Sequence, residues 1–224
     1  MRLLVFALCL SALGAGSYAV LTRGWISTEP TRAKPADTDR QRGALPPGPL
    51  APTLGERPTV RTRVVAETYD VTGDTAGEVL ASLLAGGPQS GGDVFFGRTV
   101  AQISLRYDAV PVDAGCVLTD VGVDLTLTIT LPSWTPPPDP QLARDWGRFR
   151  RALADHENGH REIAEAGAQR LGRALSGLRR DSCPATEAEA QRRVRQIESG
   201  VSAAQRRYDA ETGHGRTEGA VWPR

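Results

Sequence analysis

The 224-residue sequence predicts an α+β fold in which strands come first and two long helices follow. Residues 117–131 alternate between apolar and polar, which is typical of a strand with one buried and one solvated face. Residues 142–178 and 190–208 carry apolar side chains at helical spacing, and Asp139-Pro140 is a strong helix start. These patterns predict one domain with a mixed or antiparallel sheet.

Shorter patterns predict the remaining elements. The other strands are predicted at residues 62–72, 94–96 and 99–107, where β-branched side chains are frequent. Residues 75–85 predict a helix, because Val and Leu recur there at helical spacing before the Gly-Gly-Pro break. The last long helix is predicted to start near Thr186, with Glu189 in the capping-box position.

Residues 1–21 predict a secretory signal peptide or an uncleaved membrane anchor. A basic residue precedes an apolar stretch, and small residues before and at Ala19 suit a cleavage site. Residues 3–21 are also about long enough to span a bilayer and act as a tether. Either interpretation places the rest of the chain outside the cytoplasm, as a secreted or periplasmic protein that is membrane-anchored if the leader is not cleaved.

The composition of the remaining chain separates a linker from a domain. Residues 22–60 are rich in proline and lack apolar periodicity, so they predict an extended linker ahead of a folded domain at 61–224. The net charge of +1 gives no indication of a nucleic-acid partner. Cys116 and Cys183, in an oxidising compartment, most simply form a disulfide. A thiolate metal site or a reactive thiol is the alternative, and neither cysteine has the CxxC partner typical of such sites.

Two of the three histidines fall in the motif His156-Glu157-Asn158-Gly159-His160. On a helix, residues i and i+4 project from one face and can bind one metal ion, and neutral imidazoles suit Zn²⁺. Glu157 lies about 100° around the helix, where it can act as a general base on a water molecule. Both histidines interrupt the apolar stripe of their helix. The alternative is a pair of buried, hydrogen-bonded structural histidines.

A catalytic zinc site needs a third protein ligand. The extended motif HExxHxxGxxH is excluded, because Ile163 and Ala166 occupy its last two defined positions. His214 follows the second long helix in a loop that can fold back, so it is the predicted third ligand. The alternative ligands are the carboxylates of Glu187, Glu189 and Glu198.

With these motifs, the chain resembles a bacterial family of predicted secreted zinc-dependent proteases that has been catalogued as a domain of unknown function. The resemblance covers about residues 67–222. Its motifs are Tyr69-Asp70-Val71-Thr72-Gly73, Cys116 before the alternating strand, Leu131-Pro132-Ser133-Trp134, the HExxH segment and Tyr208-Asp209-x-x-Thr212-x-His214-Gly215. The resemblance implies a zincin-like domain whose metal ion is held by His156, His160 and the tail histidine His214.

Further roles are predicted for residues around the tail motif. Asp209 and Thr212 can orient His214 or its loop, since zinc-bound imidazoles usually donate their other N–H to a carboxylate or carbonyl. Tyr208 can hydrogen-bond a tetrahedral oxyanion. Core packing on the helix stripe is an equally good explanation for Tyr208.

The function predicted from the sequence is a zinc-dependent peptidase that hydrolyses a peptide or protein substrate with Glu157 as the general base. The alternative is a non-catalytic zinc-binding envelope protein of the same fold, acting as a peptide-binding or scaffolding module. The intact Glu157 favours catalysis, because binding a metal ion does not require this glutamate. A metal-free structural domain is the third possibility.

Overall fold

The fold is a mixed sheet covered on one face by two long helices. The computed structural model describes residues 2–8, as backbone alone, together with residues 57–136 and 139–223. In chain order the elements are β1 (Arg2–Leu8), β2 (Thr59–Asp70), α1 (Ala76–Gly86), β3 (Gln89–Ser90), β4 (Asp93–Val94), β5 (Arg98–Val112), β6 (Gly115–Ser133), α2 (Pro140–Leu175), β7 (Arg179–Arg180), α3 (Cys183–Thr212) and a short 3₁₀ turn (Arg216–Glu218). The α+β class predicted from the sequence is confirmed.

The sheet is mixed, which is one of the two sheet types predicted from the sequence. Its strand order is β1-β5-β6-β2, and the short β7 pairs with the start of β6. Strands β5 and β6 form a long antiparallel hairpin, whereas β2 runs parallel to β6. The predicted alternation along β6 is confirmed: Val123, Leu125 and Leu127 are buried under the helices, while Thr126 and Thr128 on the other face are partly exposed.

Strand β1 falls inside the predicted leader. Its backbone pairs antiparallel with β5, from Arg2 opposite Tyr107 to Leu8 opposite Ala101. The rest of the leader and most of the predicted linker lie outside the described residues, so both assignments stay predictions. No helix within the described part of the chain has the length and apolar character needed to cross a bilayer.

The starts of the two long helices show which of the predicted capping residues the structure uses. The Asp139 side chain accepts hydrogen bonds from the backbone N–H groups of Gln141 at 2.7 Å and Leu142 at 3.3 Å, as the Asp-Pro start of α2 predicts. The predicted start of α3 at Thr186 is wrong. Ser182 caps this helix instead, four residues earlier, by accepting from the N–H of Ala185 at 3.3 Å.

Helix α2 joins two hydrophobic clusters. Its first half packs Trp146, Phe149 and Leu153 against α1 and the C-terminal tail. Its second half packs residues such as Leu171 and Leu175 against β5, β6 and α3. The buried polar residues of the HExxH motif lie between these two apolar stretches, on the same face of the helix.

Helices α2 and α3 approach each other closely at glycine positions on α2. A Cβ atom on Gly159 would lie 2.3 Å from the Tyr208 hydroxyl oxygen, and one on Gly167 would lie 2.5 Å from Val201 Cγ2. A glycine inside a helix costs about 1 kcal/mol relative to alanine. This close approach gives the physical reason for the glycine inside the HExxH motif.

Replacing Gly159 by Ala is expected to destabilise the fold, because overpacking costs about 1–3 kcal/mol and displaces Tyr208. Gly147 on the same helix is the matched control, since nothing lies within 4 Å of a Cβ placed there. We expect Gly147→Ala to stabilise by up to about 1 kcal/mol through helix propensity. Chemical denaturation measures both changes, and equal stabilisation by the two variants would contradict the close packing.

The predicted disulfide is present. Cys116 at the start of β6 is bonded to Cys183 in the first turn of α3, with a sequence separation of 67. Next to this bond, the buried Thr186 hydroxyl donates to the Cys116 carbonyl oxygen at 2.9 Å. The bond therefore fixes the start of the last helix against the sheet.

Replacing both Cys116 and Cys183 by Ser is expected to lower the free energy of unfolding by about 4 kcal/mol, the chain-entropy value for a loop of this length. Denaturant titration measures the loss. The oxidised wild type, the reduced wild type and the double variant should be compared. Equal stability of the oxidised and reduced forms would contradict a stabilising cross-link.

Candidate metal centre

Three side chains from two helices converge at one point. His156 and His160 lie one turn apart on α2, and Asp209 reaches them from α3. All three residues are buried. Among the described residues, these three form the group whose imidazole nitrogens and carboxylate oxygen are positioned to hold a metal ion.

The separations of the donor atoms suit a single ion. The Nε2 atoms of His156 and His160 are 3.3 Å apart. Asp209 Oδ1 lies 2.9 Å from His160 Nε2 and 3.5 Å from His156 Nε2. Tetrahedral ligands at bond lengths of about 2.0–2.1 Å lie about 3.3–3.4 Å from one another. The three atoms therefore fit three corners of a tetrahedron.

The second nitrogen of each imidazole, Nδ1, has a hydrogen-bond partner of its own. Glu218 Oε2 accepts from His156 Nδ1 at 2.9 Å, and the amide oxygen of Gln205 accepts from His160 Nδ1. The Gln205 amide nitrogen in turn donates to the His160 carbonyl oxygen at 2.9 Å. With Nδ1 committed in this way, each Nε2 faces Asp209 and can either donate its proton to that carboxylate or, once the proton is lost, offer a lone pair to a metal ion.

The electrostatics of the centre favour an ionised carboxylate. Burial raises the pKa of Asp209, but hydrogen bonds from His156 and His160 outweigh it and hold that pKa well below its usual range. Burial lowers the pKa of His160, but its bonds to Asp209 and Gln205 raise that pKa above the ordinary value. The cluster thus holds a negative charge between imidazoles and attracts positive charge.

Glu157 lies beside this group and contacts the sheet. Its side chain is buried, and Oε2 accepts a hydrogen bond of 2.7 Å from the Thr99 hydroxyl at the start of β5. Burial raises the pKa of the Glu157 carboxyl above its ordinary value, although the Thr99 bond opposes this shift. Gly97 leaves room for the carboxylate, because a Cβ there would lie 2.7 Å from Oε1.

A cleft of about 510 Å³ opens onto the centre. Glu157 and all three convergent residues line it. The segment after the β3–β4 hairpin forms one wall, and the C-terminal tail forms another. The further lining residues include Val94, Phe95, Phe96, Arg98, Leu153, His214 and Arg216. Metal-site donors, a buried carboxylate and apolar walls therefore share one open space.

His214, the predicted third ligand, lies next to the cluster. It follows Gly213 at the end of α3 and has a φ of 56°. Its Nδ1 is 3.4 Å from Asp209 Oδ1, and its side chain is 44% exposed. Its ring packs against Phe95 at 5.6 Å between centroids. Ligation by His214 stays a prediction, whereas Asp209, predicted to orient His214, has its own carboxylate among the ligand atoms.

Thr212 and Tyr208 shape the tail around the centre. The Thr212 hydroxyl donates to the Tyr208 carbonyl oxygen at 2.8 Å and accepts from the Gly215 N–H at 3.3 Å. The Tyr208 ring stacks on His156, with 5.0 Å between centroids, and its hydroxyl donates to Glu218 Oε1 at 3.0 Å. Burial and Glu218 raise the pKa of Tyr208, so the hydroxyl stays protonated. Its role as an oxyanion donor stays a prediction.

Three contributors to the site were missed by sequence reasoning: Thr99, Gln205 and Glu218. Gln205 and Asp209 follow Val201 at helical spacing on the buried face of α3. The apolar pattern in the sequence instead predicts that this stripe continues through Ala204 and Tyr208. The signal that could have found Gln205 is this spacing, which parallels the interruption of the α2 stripe by histidines. No local pattern singled out Thr99 or Glu218.

The alternative carboxylate ligands on α3 are not part of the convergent group. Glu189 has a different partner set, since its carboxylate binds Arg192 and Arg193 at 2.6–2.8 Å. These bonds lower the pKa of Glu189 to about 2. Glu187 and Glu198 likewise stand outside the group formed by the described residues.

Comparison with known proteins gives the family of the chain. Residues 66–215 match the family model described as "Bacterial protein of unknown function (DUF922)". The chain belongs to this family. The match runs from the second half of β2 through both long helices to Gly215 in the tail, and thus includes His156, His160 and Asp209. No curated protein and no solved structure matches the chain in the same comparisons.

Replacing Asp209 by Ala is expected to remove most of the bound metal, because it deletes a ligand whose oxygen lies among the imidazoles. His214→Ala should keep metal near the wild-type level. Asp155→Ala, at an exposed position on α2, is the matched control. Elemental analysis of the purified, dialysed proteins measures the metal content. Metal loss in His214→Ala but not in Asp209→Ala would contradict this ligand set.

Proposed function

We propose that the chain is a zinc-dependent peptidase of zincin-like fold that acts outside the cytoplasm. The observation that supports it most strongly is the convergence of His156, His160 and Asp209 in a cleft that Glu157 also lines. A metal-binding triad alone needs no further carboxylate. The buried Glu157, held by Thr99 beside that triad, adds the group that hydrolysis requires.

The donor set supports zinc over other divalent ions. Two imidazole nitrogens and one carboxylate oxygen suit Zn²⁺, whereas Ca²⁺ and Mg²⁺ prefer six or more oxygen ligands. Three protein ligands leave the fourth tetrahedral position open, as in catalytic zinc sites. Zn²⁺, when bound, would supply Lewis acidity, polarising a substrate carbonyl and lowering the pKa of water.

Glu157 performs the proton transfers in this proposal. Its Oε2 accepts from Thr99, which holds the carboxylate in a fixed orientation in the cleft. It takes a proton from the attacking water and later gives it to the leaving amine, so no net charge accumulates over the reaction. Burial raises its pKa, which makes it a stronger base than an exposed glutamate.

The cleft supports a peptide or protein as the substrate. Its volume of about 510 Å³ falls in the range of ligand pockets, and Val94, Phe95 and Leu153 give it apolar walls. Arg98 and Arg216 also line it, and guanidinium groups can donate hydrogen bonds to carbonyl or carboxylate oxygens. The net charge of +1 offers no support for a nucleic-acid substrate.

A location outside the cytoplasm is supported by two features. The leader predicted at residues 1–21 suits export. The Cys116–Cys183 disulfide suits an oxidising compartment, since such bonds are rare in reducing ones. Together they support a secreted or periplasmic protein, with residues 3–21 as a possible tether if the leader is not removed.

Glu157→Gln is expected to keep the metal but to lower peptide hydrolysis by at least about 10²-fold, because glutamine cannot accept the proton. Cleavage of a peptide library, followed by mass spectrometry, measures the activity alongside zinc content. Glu162→Gln is the matched control, since Glu162 is exposed on the same helix.

The result separates the peptidase from the non-catalytic zinc-binding envelope protein. The peptidase is supported if the wild type binds zinc and if Glu162→Gln cleaves peptides while Glu157→Gln does not. Full activity of Glu157→Gln would overturn its role as the base. Zinc binding without cleavage of any library peptide would favour the zinc-binding envelope protein instead.

A further inference from the structure

We propose that Glu218 is a positioning residue for the metal ligand His156 and that, through it, the C-terminal tail sets the affinity of the site for metal. This inference rests on the metal centre of the proposed function, but not on peptidase activity. Glu218 lies in the 3₁₀ turn after α3 and is three residues beyond the end of the family match. It is neither part of the HExxH motif nor one of the convergent ligands.

Glu218 makes two contacts that bear on His156. Its Oε2 lies 2.9 Å from His156 Nδ1, and its Oε1 accepts from the Tyr208 hydroxyl at 3.0 Å. Tyr208 in turn stacks on the His156 ring with an interplanar angle of 16°. The imidazole is therefore held by a hydrogen bond at its edge and by an aromatic ring on its face, and Glu218 anchors both.

The carboxylate defines which nitrogen is free to bind metal. An ionised carboxylate accepts hydrogen bonds and donates none, so the proton of neutral His156 must lie on Nδ1. The lone pair is then on Nε2, the atom that faces His160 and Asp209. A negative acceptor also makes the imidazole a stronger ligand. His160 is oriented differently, by the neutral amide of Gln205.

The tail holds Glu218 in place from both sides. Before it, a Cβ on Gly215 would lie only 3.0 Å from the His156 ring, and the Gly215 carbonyl accepts from the Ala220 N–H at 2.9 Å. After it, the buried Trp222 indole donates to the Ala76 carbonyl oxygen at 2.8 Å. Docking of the tail on α1 therefore positions the carboxylate beside the metal ligand.

The test compares zinc affinity in full-length variants by competition with a chromophoric chelator. Glu218→Ala is expected to weaken zinc binding by about 10–100-fold, the usual effect of losing such a partner. Glu218→Gln should retain most of the affinity, because an amide oxygen can still accept from Nδ1. Glu211→Ala is the matched control: Glu211 is exposed, contacts Arg207 at 3.8 Å, and should leave affinity unchanged.

A spectroscopic measurement separates positioning from general loss of folding. With Co²⁺ in place of zinc, the visible absorption reports the ligand field, and we expect Glu218→Ala to shift it while Glu211→Ala does not. Melting of the metal-free variants provides the folding control. If Glu218→Ala binds zinc as tightly as the wild type, or if its cobalt spectrum is unchanged, the inference about Glu218 is overturned while the proposed metal site stands. Absence of zinc binding by the wild type overturns both the inference and the proposed metal site.

Discussion

Burial of His156, Glu157 and His160 on the packed face of α2 is the constraint on which the rest of the site depends. Polar side chains removed from water lose more free energy than they gain unless they find partners. Three neighbouring elements supply these partners. Strand β5 brings Thr99, helix α3 brings Asp209, and the tail brings Glu218. The buried polar residues in this one turn of α2 thus take their partners from the sheet, the last helix and the C-terminal tail.

The same constraint explains how closely the two long helices pack. Asp209 can reach both imidazoles because α3 lies against α2, and the missing side chain of Gly159 allows Tyr208 to approach. The three candidate ligands and Glu157 nevertheless all line the open cleft. A pre-formed set of donors beside a buried carboxylate, both facing one cleft, is the arrangement that metal-assisted hydrolysis needs in the proposed function. In this proposal, the catalytic site therefore forms where the polar HExxH segment of α2 is buried between the two hydrophobic clusters.

Several parts of the fold were predictable because their signals are local. The alternation along β6, the Asp-Pro cap of α2 and the Cys116–Cys183 pair each depend on neighbouring residues or on simple counting, and all three are confirmed. The start of α3 was misplaced because two caps compete there. Thr186 is a good capping residue by type, but its hydroxyl bonds the Cys116 carbonyl instead, and Ser182 caps the helix.

The sequence by itself determined that two histidines and a glutamate share one turn of a helix, since the spacing of four residues fixes their relative directions. It could not determine which distant residue completes the group. His214 was predicted as the remaining histidine, and the structure brings Asp209 Oδ1 to 2.9 Å from His160 Nε2 and 3.4 Å from His214 Nδ1. The positions of these distant residues depend on the rotation of α3 against α2 and on the path of the tail. Both are set by packing between segments far apart in the chain, so the tertiary structure alone decided them.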